Sequence, residues 1–376
     1  MTFRYNKIII PTLSTISGIL WQHSECNICV PLALALFFIT AKLFFSKNRK
    51  KTIIAFSVIA TFFLFGVFRS SNQQKQQERN YQEFSNKEFA TIATIKEIRS
   101  QDSRFYKNCI TITTEKIKIK KEDTWKKANK KIQIYLRRLP EIQVCDKVKI
   151  KNLKFKKPSK SFSKYLMKEN ITANIFENNL DCEILNRPNI SLSRYIFNKR
   201  NNLLSSIKRK MPKRPFAMFS SIFLGNRKIN KKENDLVKNS FRLWGILHFL
   251  ARSGLHLIIF LMLCELMLKL IPIYFNVKQM ILIALSTIYL LLSWPSLSFI
   301  RAFSIFLLYK FCPLTNKKSD LVSLVAVVCL AMLLYNPIQL FFLDFQLSFG
   351  LTFALAMFTK EQSKRERKRR LKYEKK

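Results

Sequence analysis

The chain is poor in acid, glycine and histidine. It holds 23 Asp and Glu, six glycines and three histidines in 376 residues, against 66 Lys and Arg. So few acids leave a formal charge of +43 beside a 48% hydrophobic content. An ordinary soluble domain shows neither extreme, and the combination points to apolar segments separated by basic ones. AT-rich coding alone would raise lysine. Whatever its origin, the charge must meet something anionic, phospholipid or nucleic acid. Three histidines exclude a histidine-rich metal centre. The eight cysteines are scattered, and the C-x2-C of Cys26 and Cys29 has no second pair to complete a zinc site. No metal and no cofactor are expected. The apolar run Ile8 to Trp21 lacks a small-residue cleavage site after it, so a retained first span is expected rather than a signal peptide.

Apolar segments fall at about 8–22, 28–45, 52–69, 246–268, 279–294, 297–312, 320–336 and 339–359. Roughly 20 apolar residues cross a bilayer as a helix, so a multi-pass membrane protein is expected. Lys47 to Lys51, Lys317-Lys318 and the tail from Lys360 all fall on one side of eight alternating spans. The positive-inside rule makes that side cytoplasmic, with both termini in the cytoplasm and residues 70–244 outside. The basic stretch 191–244 strains this topology. It lies after a long segment, where the charge rule weakens.

Residues 70–190 alternate with period two, as in Ile110-Thr-Ile112-Thr, Ile117-Lys-Ile119, Ile132-Gln-Ile134-Tyr-Leu136 and Val148-Lys-Ile150. This predicts five or six half-buried strands, suited to an OB-like barrel. The expected fold class is therefore a polytopic α-helical membrane protein with an extracytoplasmic all-β, OB-like barrel domain after its third span. That segment carries 27 Lys and Arg against 14 Asp and Glu, a net +13. Basic grooves with aromatics bind single strands, and Tyr106, Trp125, Arg137 and Arg138 are the candidate nucleic-acid surface, with Tyr135 and Phe155 as further aromatics. Core packing or a solvated face is the alternative for each aromatic. Cys109 and Cys145 fall in predicted strands of a domain placed outside, so a disulfide between them is expected, with Cys182 as the competing partner.

The remaining organisation follows from composition. Residues 1–69 hold the first spans, and 191–244 read as basic amphipathic interfacial helices, with Leu203, Leu204, Ile207 and Met211 on one face. Residues 245–359 hold about five spans, and 360–376 form a basic tail with ten Lys and Arg against three Glu.

Two histidines, an arginine, a serine and two glycines interrupt the start of the fourth span, in Gly245-Ile-Leu-His248-Phe-Leu-Ala-Arg252-Ser253-Gly254-Leu-His256. Polar groups at membrane depth are costly and persist where they line a path or meet a partner. This block resembles the signature of the ComEC competence family, membrane channels for single-stranded DNA uptake. Leu224-Gly225-Asn226-Arg227, Pro295-Ser296-x4-Arg301-Ala302 and Phe345-Gln346-Leu347-Ser348-Phe349 resemble that family's further motifs in order and approximate spacing. Asp146-Lys147-Val148 is similar to its Gly-Asp-x-Val turn, with Cys145 in the glycine's place. The chain departs from the pattern at Ile246-Leu247, Arg252 and Asp344. Four of the six glycines lie in or beside the motifs, which predicts tight turns or close helix contacts there.

The resemblance implies a channel component that passes single-stranded transforming DNA inward, without covalent chemistry of its own. The candidate DNA path is His248, Arg252, Ser253, Gly254, His256, Arg301, Gln346 and Ser348. Arginine matches phosphate oxygens bidentately; snorkelling to headgroups is the alternative for Arg252 and Arg301. His248 and His256 stand about 80° and over about 10 Å apart on an ideal helix, so they share a metal only if the helix breaks, as at Ser253-Gly254. Expected partners are single-stranded DNA, anionic lipids, other DNA-uptake machinery, a second copy of the chain, and a separate nuclease or second-half protein. A non-conducting DNA-binding fragment and a small-anion transporter remain the alternatives.

Overall fold

A computed structural model describes residues 8–22, 30–34, 36, 49–84, 87–100, 106–119, 124–155, 158–189, 191–225, 231–245, 254–294, 296–315 and 320–373. The chain separates into two compact units, Met1–Gln76 with Ser304–Lys376, and Gln77–Phe303.

In the first unit, α1 (Ile9–Gln22) packs with α10 (Leu321–Tyr335) and meets α2 (Arg49–Phe84) at Phe63 to Val67, while α11 (Leu343–Tyr373) follows a 3-10 turn at Pro337–Phe341. The hydroxyls of Thr12, Ser14 and Thr15 donate to the carbonyls four residues earlier at 2.8–2.9 Å, which lets polar side chains sit in an apolar helix. A Cβ at Gly18 would strike the Phe63 carbonyl oxygen, so glycine permits the contact of α1 with α2. Ile19, Val325, Leu333, Phe345 and Phe349 form the core of this unit. Both ends of α10 are tied. Arg69 donates from Nε to Leu334 O at 3.1 Å and from Nη2 to Tyr335 O at 3.2 Å, which satisfies carbonyls at the helix C-terminus. At the other end Lys360 pairs with Asp320 at 3.1 Å.

The second unit holds the sheet, in the order β6-β4-β2-β1-β5-β7: β1 (Glu88–Ser100), β2 (Asn108–Ile119), β4 (Lys131–Leu136), β5 (Lys147–Lys154), β6 (Ala173–Glu177) and β7 (Cys182–Asn186), with β3 (Lys126–Lys127) beside β2. The period-two positions do face inward: Ile95, Ile110, Ile112, Ile132, Ile134, Leu136, Val148 and Ile150 are all buried in one cluster. The closed barrel expected from the sequence does not form. β6 pairs in parallel with β4 and β7 antiparallel with β5, so these consecutive strands are the two free edges. Only residues 178–181 join them, with Arg138 N donating to Asn178 O and Lys151 N to Asp181 O. Six strands lying flat would separate the edges by about 24 Å, whereas the link spans at most about 17 Å. The sheet must therefore curl without closing. Each edge strand is committed to a different neighbour, because Ala173 and Ile175 of β6 belong to the core beside Ile132 and Ile134.

Helix α3 (Lys160–Lys168) lies between β5 and β6, and α4 (Leu192–Lys210), α5 (Lys213–Ile222) and α6 (Lys231–Leu243) fill the amphipathic stretch. Then come α7 (Gly254–Lys269), α8 (Phe275–Leu292) and α9 (Leu297–Leu314). Described helix is present within each expected apolar segment. Two of these helices, α8 and α9, are long and apolar enough to cross a membrane, and only 17% and 11% of their windows are buried. The 15 residues of α10 are apolar but shorter. The tail continues α11 as helix to Tyr373.

Candidate functional site

The β4–β6 edge presents an aromatic and basic end. The parallel register sets Tyr135 beside Phe176, and their rings stack at 5.0 Å. Tyr106 packs on Phe176 at 5.4 Å, and Phe176 stays 52% exposed. Burial, the largest cause, pushes the Tyr135 phenol above its ordinary range. Arg137 and Arg138, both exposed, follow β4 directly. Tyr106, Arg137 and Arg138 thus meet at one end of the sheet. Trp125 does not join them. It precedes the β3 residue that pairs with Ile117, about nine residues or 30 Å along β2. There it lines a separate cleft of about 600 Å³ with Lys96, Lys116 and Lys127. Phe155 is 1% exposed and belongs to the core, stacked on Tyr81. Phe176 escaped the sequence reading because only the non-local parallel pairing reveals its neighbours.

Beside this end, the turn into β5 carries a buried carboxylate. Asp146 accepts from Gln143 N at 2.9 Å and pairs with Arg187 at 3.0 Å and Arg194 at 2.7 Å. Cys145 stands before it at φ 71°, in the left-handed region that the glycine of the resembled turn would favour. The expected disulfide is not formed: Cys109 and Cys145 are both thiols. Cys109 sits opposite Arg99 of β1, whereas Cys145 N donates to Ile95 O. Four residues of strand cover about 13 Å, beyond the roughly 7 Å limit between bridged Cα atoms.

A cleft of about 500 Å³ opens between the sheet and α4, lined by Arg99, Gln143, Asn198, Asn201, Lys208 and Trp294 among others. Glu97 lies 2.6 Å from Arg99 and 3.7 Å from Arg200. Burial, the largest single cause, opposes the Arg99 charge, but the hydrogen bond and the charge of Glu97, with smaller contributions from Cys109 and Glu169, together raise the pKa. Arg200 is lowered by burial and lies 4.0 Å over the Trp294 ring.

Three of the four motif segments converge in this unit. Leu224 O accepts from Trp294 N at 2.7 Å, just before the third motif, and Phe223 O accepts from Tyr289 at 2.8 Å. The Phe223 ring meets His256 edge-on at 6.0 Å. A Cβ on Gly254 would lie 2.5 Å from Ala302 Cβ, so glycine allows α7 to touch α9. Gly225 has φ 78°, but a Cβ on Gly350 would meet open space, against the expectation for motif glycines. Arg301 is 3% exposed. His248, Arg252 and Ser253 lie outside the described residues.

The fourth motif belongs to the other unit. The Phe345 and Phe349 rings meet at a tilt, 4.6 Å apart, in its core. Gln346 donates to Leu340 O at 2.8 Å, and the half-buried Ser348 accepts from Thr352 through its carbonyl.

Residues 223–376 match the model of the Competence family, described as competence protein. Comparison with curated proteins and with solved structures finds no match.

Proposed function

We propose, from the match of residues 223–376 to the Competence family, that the chain is a cell-membrane component of DNA uptake that passes single-stranded DNA into the cytoplasm. The family match carries this reading. The low burial of α8 and α9 supports an apolar surrounding, since water would leave their side chains as a large exposed apolar surface. In the proposed topology α10 runs outward from Asp320. Its ties to Lys360 at one end and to Arg69 at the other fit helices that cross together. The curled, OB-like sheet then receives DNA outside the cell, with bases stacking at Phe176 and Tyr106 and phosphates meeting Arg137 and Arg138.

The test is internalised labelled DNA per cell, normalised to protein in the membrane, in a strain lacking any other homologue. Arg301→Ala should lower uptake roughly ten- to a hundredfold, the equivalent of a lost charge-assisted contact of about 1.5–3 kcal/mol. Normal uptake in that variant removes Arg301 from the path. Binding of single strands without uptake would favour a non-conducting DNA-binding fragment. Transport of small anions without DNA binding would favour an anion transporter.

A further inference from the structure

The apolar half of α11 gives way to its basic half at the level where α10 begins. Leu351, Leu355 and Phe358 are apolar and exposed, whereas the helix from Lys360 onward is strongly charged. The Lys360–Asp320 pair locks this transition beside the first residue of α10, Leu321. A cleft of about 360 Å³ straddles it. Its floor is Leu321 and Ala356; its upper wall is Lys360, Ser363, Lys364 and Arg367.

The spacing of the cations is helical. Positions 360, 364 and 367 recur at steps of four and three, so all three stand on one face of α11. Three cations against Asp320 leave the lining at a formal +2. Lys360 is committed to Asp320, and Lys364 lies 3.8 Å from Glu361. Among the described residues no acid lies within ion-pair distance of Arg367. From Ala356 to Arg367 the helix rises about 16 Å, more than the roughly 5–8 Å of one headgroup layer. The cleft therefore offers apolar contact at one end and hydrogen-bonding cations at the other.

We propose that this cleft binds the phosphate headgroup of an anionic phospholipid, with Lys364 and Arg367 on the phosphate, Ser363 donating to it, and the acyl chains lying against the Leu321 and Ala356 floor. The assignment rests on reading α10 and α11 as membrane helices. A soluble phosphate or a nucleic-acid strand would use the cations but not the apolar floor.

The test uses the full chain in detergent and reconstituted in nanodiscs. Phosphatidylglycerol should raise the Tm of the wild type, and phosphatidylethanolamine should not. The double variant Lys364→Gln with Arg367→Gln should lose apparent affinity by about fivefold per charge, the equivalent of ~1 kcal/mol for each surface cation. Arg369→Gln with Arg370→Gln removes the same charge outside the cleft and should respond as the wild type does. Equal loss in both double variants would replace the site by diffuse attraction to the tail. An equal Tm rise with inorganic phosphate would make it a soluble-anion site instead. A chain that fails to enter nanodiscs of any composition would overturn the membrane reading itself, and the lipid site with it.

Discussion

Arg194 Nη2 lies 2.7 Å from Asp146 Oδ1, while Arg187 holds Oδ2 of the same fully buried carboxylate at 3.0 Å. One acid thus fastens the first turn of α4 and the end of β7 to the turn that starts β5. Arg194 also donates to Val144 O and Pro188 O, so it bridges three segments.

Removing that acid should be expensive. Asp146→Asn leaves two guanidinium groups facing a neutral amide, and breaking a buried pair from one side costs about 3–5 kcal/mol. Arg194→Ala should cost more than Arg187→Ala, because the Arg194 side chain is 14% exposed and Arg187 is 42% exposed. Denaturant midpoints of the three variants check the order, and equal midpoints would remove the clamp from the account.

Cys145 holds a backbone angle that costs most residues about 1–2 kcal/mol. Cys145→Val should lower stability further, because a β-branched side chain tolerates positive φ poorly. Cys145→Gly should not lower it, although the contact from Ser191 Oγ at 3.0 Å is lost. If valine and glycine give the same unfolding midpoint, backbone strain is not what distinguishes this position.

The Gly254–Ala302 contact predicts a coupled pair. Gly254→Ala should reduce folded protein in the membrane, and Ala302→Gly in the same chain should restore much of it. The coupling expected between touching residues is about 0.5–3 kcal/mol. Additive effects in the four-member mutant cycle would mean that α7 and α9 do not meet there.

The raised Tyr135 phenol gives an alkaline prediction. A folded pKa above the unfolded value, about 10, contributes stability that is complete below that value and is lost as pH rises toward the folded one. Stability should therefore fall above roughly pH 10, and Tyr135→Phe should flatten that limb. Tyr165, raised by burial as well, would keep part of the slope. An unchanged alkaline limb in Tyr135→Phe would place the effect elsewhere.

The strands were legible because alternation is local: Ile132, Ile134 and Leu136 declare their face within one segment. Pairing is not local. Nothing in Ala173–Glu177 announces a parallel partner at Lys131–Leu136, and so neither the open edges nor the Tyr135–Phe176 stack could be read in advance. The error over Cys109 and Cys145 has the same origin, since Cys109 lies in β2 and Cys145 in the turn before β5, and only the strand order shows that β1 stands between them. The motif glycines were read more successfully. Scarcity made Gly225 and Gly254 conspicuous, and geometry supplies a reason for each. Arg301 shows the opposite limit: its type and spacing marked it, but its burial depended on packing that no linear pattern encodes.

Helix α11 runs unbroken for 31 residues, about 46 Å. Phe345 and Phe349 are keyed into the core at one end, and Lys364 and Arg367 stand at the other. A helix without an internal joint behaves as a shaft. Turning the phenylalanines in their sockets would swing the cations through the same angle, and anchoring the cations would resist that turn. The angular setting of the aromatic packing and the heading of the basic arm are thus a single mechanical coordinate.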